Sequence, residues 1–166
     1  MPGLVVLGFG SNIGNRFRNI NFALKTLALN KSLNLLKVSD IYETEPWGFK
    51  KQRSFFNCAA VFRCRLQPLE LLRLAKSVEK KAGRTSSPAW QARKLDIDIL
   101  FYGGCVIHNK LLKIPHQYLE CRNFVLKPLV DIIPGFIHPV LKKSILDLYN
   151  SSRDICKVKR ISSFDK

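Results

Sequence analysis

Two apolar periods alternate along this chain. Leu4-Val5-Val6-Leu7 is a short continuous apolar run, Gly8 to Asn15 is rich in glycine and asparagine, and Phe17, Ile20, Phe22, Ala23, Leu24, Leu27 and Ala28 then recur at helical spacing. The pattern predicts a buried strand, a tight turn with Ser11 or Asn12 near the helix start, and a helix. Leu33 to Tyr42 alternates loosely and Phe55 to Cys64 is rich in Phe, Val and Ala, so both read as strands, with a polar loop from Glu43 to Ser54 between them. Pro68 opens a second helix. Leu69, Leu71, Leu72, Leu74, Ala75 and Val78 line one side of it, Arg73, Lys76, Glu79 and Lys80 the other, and Gly83 ends it. After a loop from Arg84 to Lys94, Leu95-Asp96-Ile97-Asp98-Ile99-Leu100-Phe101 alternates as a strand, with a short strand pair near Val106 and Leu112. Phe124 to Ile133 and Leu141 to Tyr149 read as closing helices.

The order β, α, β, β, α, β predicts an α+β fold of the ferredoxin-like, split-βαβ type: an antiparallel sheet with helices packed on one face. One domain over 1–150 accounts for the periodic part. Residues 151–166 are polar, basic and weakly periodic, and read as a tail or as the start of a linker to a fused domain.

At 166 residues the chain is long enough to bury well over half of its unfolded surface, and 46% of it is apolar. Its five cysteines, Cys58, Cys64, Cys105, Cys121 and Cys156, are odd in number and have neither zinc nor disulfide-framework spacing, which points to a reducing compartment, the cytoplasm. The first apolar run is too short for a signal peptide or a membrane span. A net charge of +16 favours polyanions without choosing among nucleic acid, acidic membrane and nucleotide phosphates.

Candidate chemistry narrows that choice. In a strand, Asp96 and Asp98 project to one face about 6.6 Å apart. Their repulsion at an effective dielectric near 20 is roughly 2 to 2.5 kcal/mol, which a divalent cation or nearby arginines would reverse. Alone, Asp-x-Asp is more often the wet side of an amphipathic strand than a metal site. The preceding loop, however, carries Arg84, Trp90, Arg93 and Lys94, guanidinium forks and an aromatic ring suited to phosphates and a purine. The glycines of Gly8-Phe9-Gly10-Ser11-Asn12-Ile13-Gly14 have the wrong spacing for a dinucleotide fingerprint.

Gly10-Ser11-Asn12, Phe55-Phe56-Asn57, Gly83-Arg84, Arg93-x-Leu-Asp-Ile-Asp-Ile-Leu, Ile114-Pro115-His116 and Arg122-x-Phe124 together make the chain resemble the hydroxymethyl-dihydropterin pyrophosphokinases, over about Val5 to Tyr149. The resemblance implies transfer of the pyrophosphoryl group of ATP to the hydroxymethyl of a reduced pterin, with release of AMP, in folate synthesis. It implies that Asp96 and Asp98 hold two Mg2+ ions and that Arg84 and Arg93 clamp phosphate. Leu72, Glu79, Trp90, Ile99, His116 and Arg122 would then form the ATP pocket, and Phe55 and Phe124 would sandwich the pterin ring, with Asn57 and the backbone from Thr44 to Trp47 at its edge. Members of the family are often fused to another folate-pathway enzyme. This chain departs from the family in two places: Ala89-Trp90-Gln91-Ala92-Arg93 stands for the usual Arg-Trp-Gly-Pro-Arg, one phosphate-binding arginine short, and Lys76 stands for a usual glutamine.

A rival reading is a basic α+β module whose sheet stacks single-stranded RNA. It accounts for the charge but not for paired aspartates on the sheet, and the aromatic glycine-rich signature of such sheets is missing. Nucleic acid and membrane are therefore not the expected partners.

Overall fold

The computed structural model describes residues 3–46, 51–84 and 92–163. Strands β1 (Gly3–Ser11), β4 (Phe55–Cys64) and β5 (Asp96–Tyr102) form its centre. β1 lies between the other two, antiparallel to both. On the far side of β4 lie β2 (Leu33–Val38) and β3 (Ile41–Thr44), both antiparallel to it. The expected strand Leu33 to Tyr42 is divided at Ser39, where the Ser39 hydroxyl takes the Ala59 N–H that a continuing ladder would have bonded.

Helices α1 (Arg16–Ala28) and α2 (Pro68–Lys81) pack on one face. Ile20, Ala23, Leu24 and Leu27 of α1 and Leu71, Ala75 and Val78 of α2 are buried against Val5, Leu7, Phe9, Phe62, Ile97 and Ile99. Asn15 caps α1 by accepting from the Arg18 N–H at 2.9 Å, so the cap is neither Ser11 nor Asn12. At the end of α2, Gly83 sits at φ +85°, the left-handed conformation glycine adopts without strain, and the turn swings Arg84 back over the helix end.

The opposite face is also covered, where an open face was expected. Helices α3 (Asn123–Ile132) and α4 (Ile145–Asn150) bury Leu126, Leu129, Ile132, Ile145 and Leu148 on Val6, Ala59, Val61, Leu100 and Phe101. The sheet residues responsible are apolar on both faces, a pattern that needs two helical layers. Residues 158–162 of the expected tail form strand β8, antiparallel to β3 and held also by the Arg160–Asp40 ion pair. A hairpin, β6 (Ile107–His108) with β7 (Lys113–Ile114), follows β5.

Candidate active site

α3 and α4 cover only one end of their face. The other end is a cleft of about 410 Å³, within the range of small-molecule sites, and its floor is a row across three strands. In register, Asp96 of β5 faces Gly10 of β1, which faces Asn57 of β4; one step along, Asp98 faces Gly8, which faces Ala59. The two glycines are therefore strand residues, not a turn. Their bare backbones leave the hollow open: a Cβ on Gly10 would come within 3.1 Å of Asn57 Oδ1, and one on Gly8 within 3.2 Å of Leu100. Glycine at alternate positions opposite alternate aspartates was a legible signal that the turn-forming reputation of glycine hid.

Asp96 accepts hydrogen bonds from Arg84 Nη1 at 2.6 Å and from Arg93 Nη1 at 2.7 Å. Burial pushes its carboxyl up, but the Arg93 and Arg84 charges outweigh that and hold it below the usual carboxylate range. Asp98, without such partners, is pushed up to about 7 by burial and then by the Asp96 charge. His116 Nε2 lies 3.8 Å from Asp98 Oδ1. Burial, then the Arg122 charge, keeps the His116 imidazole below its ordinary pKa.

Beneath Arg84 lies Glu79, 2% exposed. One of its oxygens accepts from the Ile97 N–H and from Lys76 Nζ, both at 2.8 Å, and the other meets Arg84 Nη1 at 2.7 Å. Glu79 thus ties α2 to β5 and fixes the arginine by a charged bond. Its carboxylate lies beneath the cleft, outside the lining.

The far wall is apolar and aromatic. Phe55 and Phe124 both line the cleft, and Asn57 Nδ2 donates to Thr44 Oγ1 at 2.7 Å in a buried pair. The Arg122 guanidinium lies 5.9 Å from the Phe124 ring centre and 5.4 Å from that of Tyr118. Tyr118 is a lining residue the sequence did not single out; its φ of 66° is unusual for a non-glycine residue.

Of the residues singled out in the sequence, Thr44, Phe55, Asn57, Arg84, Arg93, Asp96, Asp98, His116, Arg122 and Phe124 line this one cleft. Leu72 and Ile99 do not. Both side chains pack into the α1–α2 core, because Ile99 is one residue out of phase with Asp98, and Leu72 belongs to the apolar side of α2. Trp47 and Trp90 lie outside the described residues.

Guanidinium groups around paired carboxylates, at one end of a cleft with an aromatic wall at the other, define a kinase-type transferase on a ferredoxin-like sheet. The sequence pattern of the 7,8-dihydro-6-hydroxymethylpterin-pyrophosphokinases matches residues 6–134. The chain belongs to this family. A 2-amino-4-hydroxy-6-hydroxymethyldihydropteridine pyrophosphokinase from Aquifex aeolicus is 40% identical over 160 residues, 95% of this chain and 98% of that protein. The folic acid synthesis protein fol1 of Schizosaccharomyces pombe is also 40% identical, over 136 residues that make up 82% of this chain but only 19% of that one. In fold, the solved Plasmodium falciparum HPPK-DHPS is similar at TM-score 0.72 and 20% identity, over 90% of this chain and 44% of its own.

Proposed function

We infer that this chain transfers the pyrophosphoryl group of ATP to the hydroxymethyl of 6-hydroxymethyl-7,8-dihydropterin, releasing AMP, as a step of folate synthesis. The observation that carries the assignment of residues is the row Asp96, Gly10, Asn57, which sets the carboxylates and the ring-binding wall on one floor.

The paired carboxylates fit Mg2+. They offer hard oxygen donors side by side, and the like-charge repulsion that raises Asp98 is what a divalent cation removes. Asp96 and Asp98 are the residues that would hold magnesium, two ions being expected. When bound, magnesium supplies neutralisation of phosphate charge and polarisation of the transferring group.

The protein's own part is positioning. Phosphoryl-type transfer forms little bonding to side chains, so alignment and charge placement supply most of the barrier reduction. Arg84, fixed by Glu79, and Arg93, fixed through its backbone, present donors to phosphate. His116 donates a ring N–H to phosphate. Phe55 and Phe124 hold the flat pterin ring, and Asn57 and Thr44 meet its polar edge. Leu72 and Ile99, being core residues, support the ATP pocket from behind.

The RNA-binding alternative requires an open aromatic sheet face; α3 and α4 cover one end of the face that would serve, and the end left open carries Asp96 and Asp98. Among the described residues no helix is long and apolar enough to cross a membrane, and all five cysteines are free thiols, in accord with a cytoplasmic enzyme. The long relatives suggest fusion or association with a second folate-pathway enzyme as the natural context. Incubation with ATP, the hydroxymethyl-dihydropterin and Mg2+ should yield AMP and a pterin diphosphate in equal amounts; ADP as product would overturn the assignment.

A further inference from the structure

We propose that Asp154 is a positioning residue for the reaction: from outside the cleft it caps α3 and so fixes Arg122 and Phe124, the two site residues that flank the capped position. The proposal rests on the activity inferred above.

The start of α3 lacks a cap of its own. Its N-cap residue, Arg122, lines the cleft and makes no side-chain cap bond, and no acidic residue stands in the first turn. A residue committed to the site leaves the helix end to be satisfied from elsewhere. Asp154 does so from 31 positions on in the chain. Its Oδ2 accepts the Asn123 N–H at 2.7 Å, and its backbone carbonyl accepts from Asn123 Nδ2 at 2.7 Å. Asn123 is therefore gripped by backbone and side chain together, and the helix dipole favours a carboxylate at this end. Asp154 is itself held, because its Oδ1 accepts from the Cys156 N–H at 3.0 Å and its own N–H donates to Ser152 Oγ at 3.2 Å.

Asn123 stands between Arg122 and Phe124, so a shift there moves both side chains. The same segment also reaches the wall that carries Thr44. Val158, at the start of β8, pairs with Thr44 of β3, and Thr44 lines the cleft and bonds Asn57. Residues 154–158 thus tie α3 to β3 and set the spacing between Phe124 and Thr44. The polar stretch that resembles a tail in sequence is part of the scaffold of the site.

An Asp154 that served stability alone would change the folded fraction, and with it the apparent kcat, but not KM. The test is steady-state kinetics of the full chain, well below its Tm, for Asp154→Ala, Asp154→Asn and, as a control, Asp147→Ala. Asp147 bonds Ser144, the cap of α4, and no described residue of α4 lines the cleft. Asp154→Ala should raise KM about five- to tenfold for the pterin and for ATP, with kcat within about threefold of wild type. Asp154→Asn keeps an acceptor for the Asn123 N–H and should stay within about twofold of wild type. Asp147→Ala should lower Tm by about 2–4 °C and leave both KM values unchanged. Wild-type KM values in Asp154→Ala, a fall in kcat alone, no recovery in Asp154→Asn, or raised KM in Asp147→Ala would each overturn the proposal. A wild-type chain that releases no AMP would overturn the activity instead. A crystal structure of Asp154→Ala then decides the role of Asp154: displaced Arg122 and Phe124 uphold it, and unmoved side chains overturn it.

Discussion

Asn12 and Arg93 hold one another by the backbone: the Asn12 N–H donates to the Arg93 carbonyl at 3.1 Å, and the Arg93 N–H donates back to Asn12 Oδ1 at 2.7 Å. Ser11 Oγ and Asn19 Nδ2 both donate to the next carbonyl, that of Lys94. The end of β1 is therefore the fixture for the last residues before β5, and Arg93 reaches Asp96 from a point fixed by Asn12. Asn12→Ala should remove the partner of the half-buried Arg93 N–H, lower stability by about 1 kcal/mol, and reduce kcat by about 10- to 100-fold through misplacement of the guanidinium. AMP formation and thermal unfolding measured side by side check this; unaltered kcat would mean that Arg93 is held by other means.

Gly10→Ala tests the floor of the cleft. The added methyl meets Asn57 Oδ1 at 3.1 Å, and Asn57, bonded to Thr44 and 7% exposed, has little room to yield. Overpacking of this kind costs about 1–3 kcal/mol. KM for the pterin should rise far more than KM for ATP, as seen in steady-state kinetics with each substrate varied.

Asp98→Asn separates function from stability. Because the Asp98 carboxyl titrates at about 7, above its unfolded value, folding favours its protonated form, and the metal-free protein loses stability as pH rises from about 4 toward 7. The amide removes that loss. With 40% of the side chain exposed, screening keeps the gain small. Melting curves in EDTA at pH 8 should show Asp98→Asn equal to or slightly above wild type, while AMP formation falls by about 10²- to 10³-fold, the usual scale for a lost charge-stabilising group. A large drop in Tm would contradict the repulsion.

Glu43 works in the opposite sense to Asp98 and makes the fold acid-sensitive. Its carboxylate accepts from Ser54 Oγ at 2.6 Å and from Arg16 Nη1 at 2.8 Å, and these bonds hold its pKa below the usual range. The stabilisation is complete above the unfolded value of about 4.3 and is lost as pH falls through the folded one. Arg16 also bonds Ser54 and lies 3.7 Å over the Phe56 ring, so the group ties α1 to β3 and to the start of β4. Glu43→Gln should narrow the gap in Tm between pH 7 and pH 4, and an unchanged gap would assign the acid loss elsewhere.

Much of this was legible from periodicity. Phe55–Cys64 is a strand with the expected ends, α2 begins at Pro68, and Asp96 and Asp98 share a face because period 2 demands it. What escaped was set by long-range pairing. Gly8 and Gly10 look like a turn until β4 and β5 lie on either side of them. Leu126 and Leu129 reveal their helix but not that it covers the second sheet face. Val158–Ser162, polar and basic, becomes a strand because β3 offers an unpaired edge, a fact carried by residues more than a hundred positions earlier. Ser11 and Asn12 suit a helix cap by type, and only the fold reveals their partners at Arg93 and Lys94.

That late strand sets the time scale of the cleft wall. Four-residue β3 carries Thr44, and with β4 on one side and β8 on the other it is an interior strand rather than a frayed edge. Its amides should therefore exchange with solvent only through rare openings shared with the central sheet, in place of the rapid local breathing of a border. A cleft wall governed by such openings is already in place before any ligand arrives.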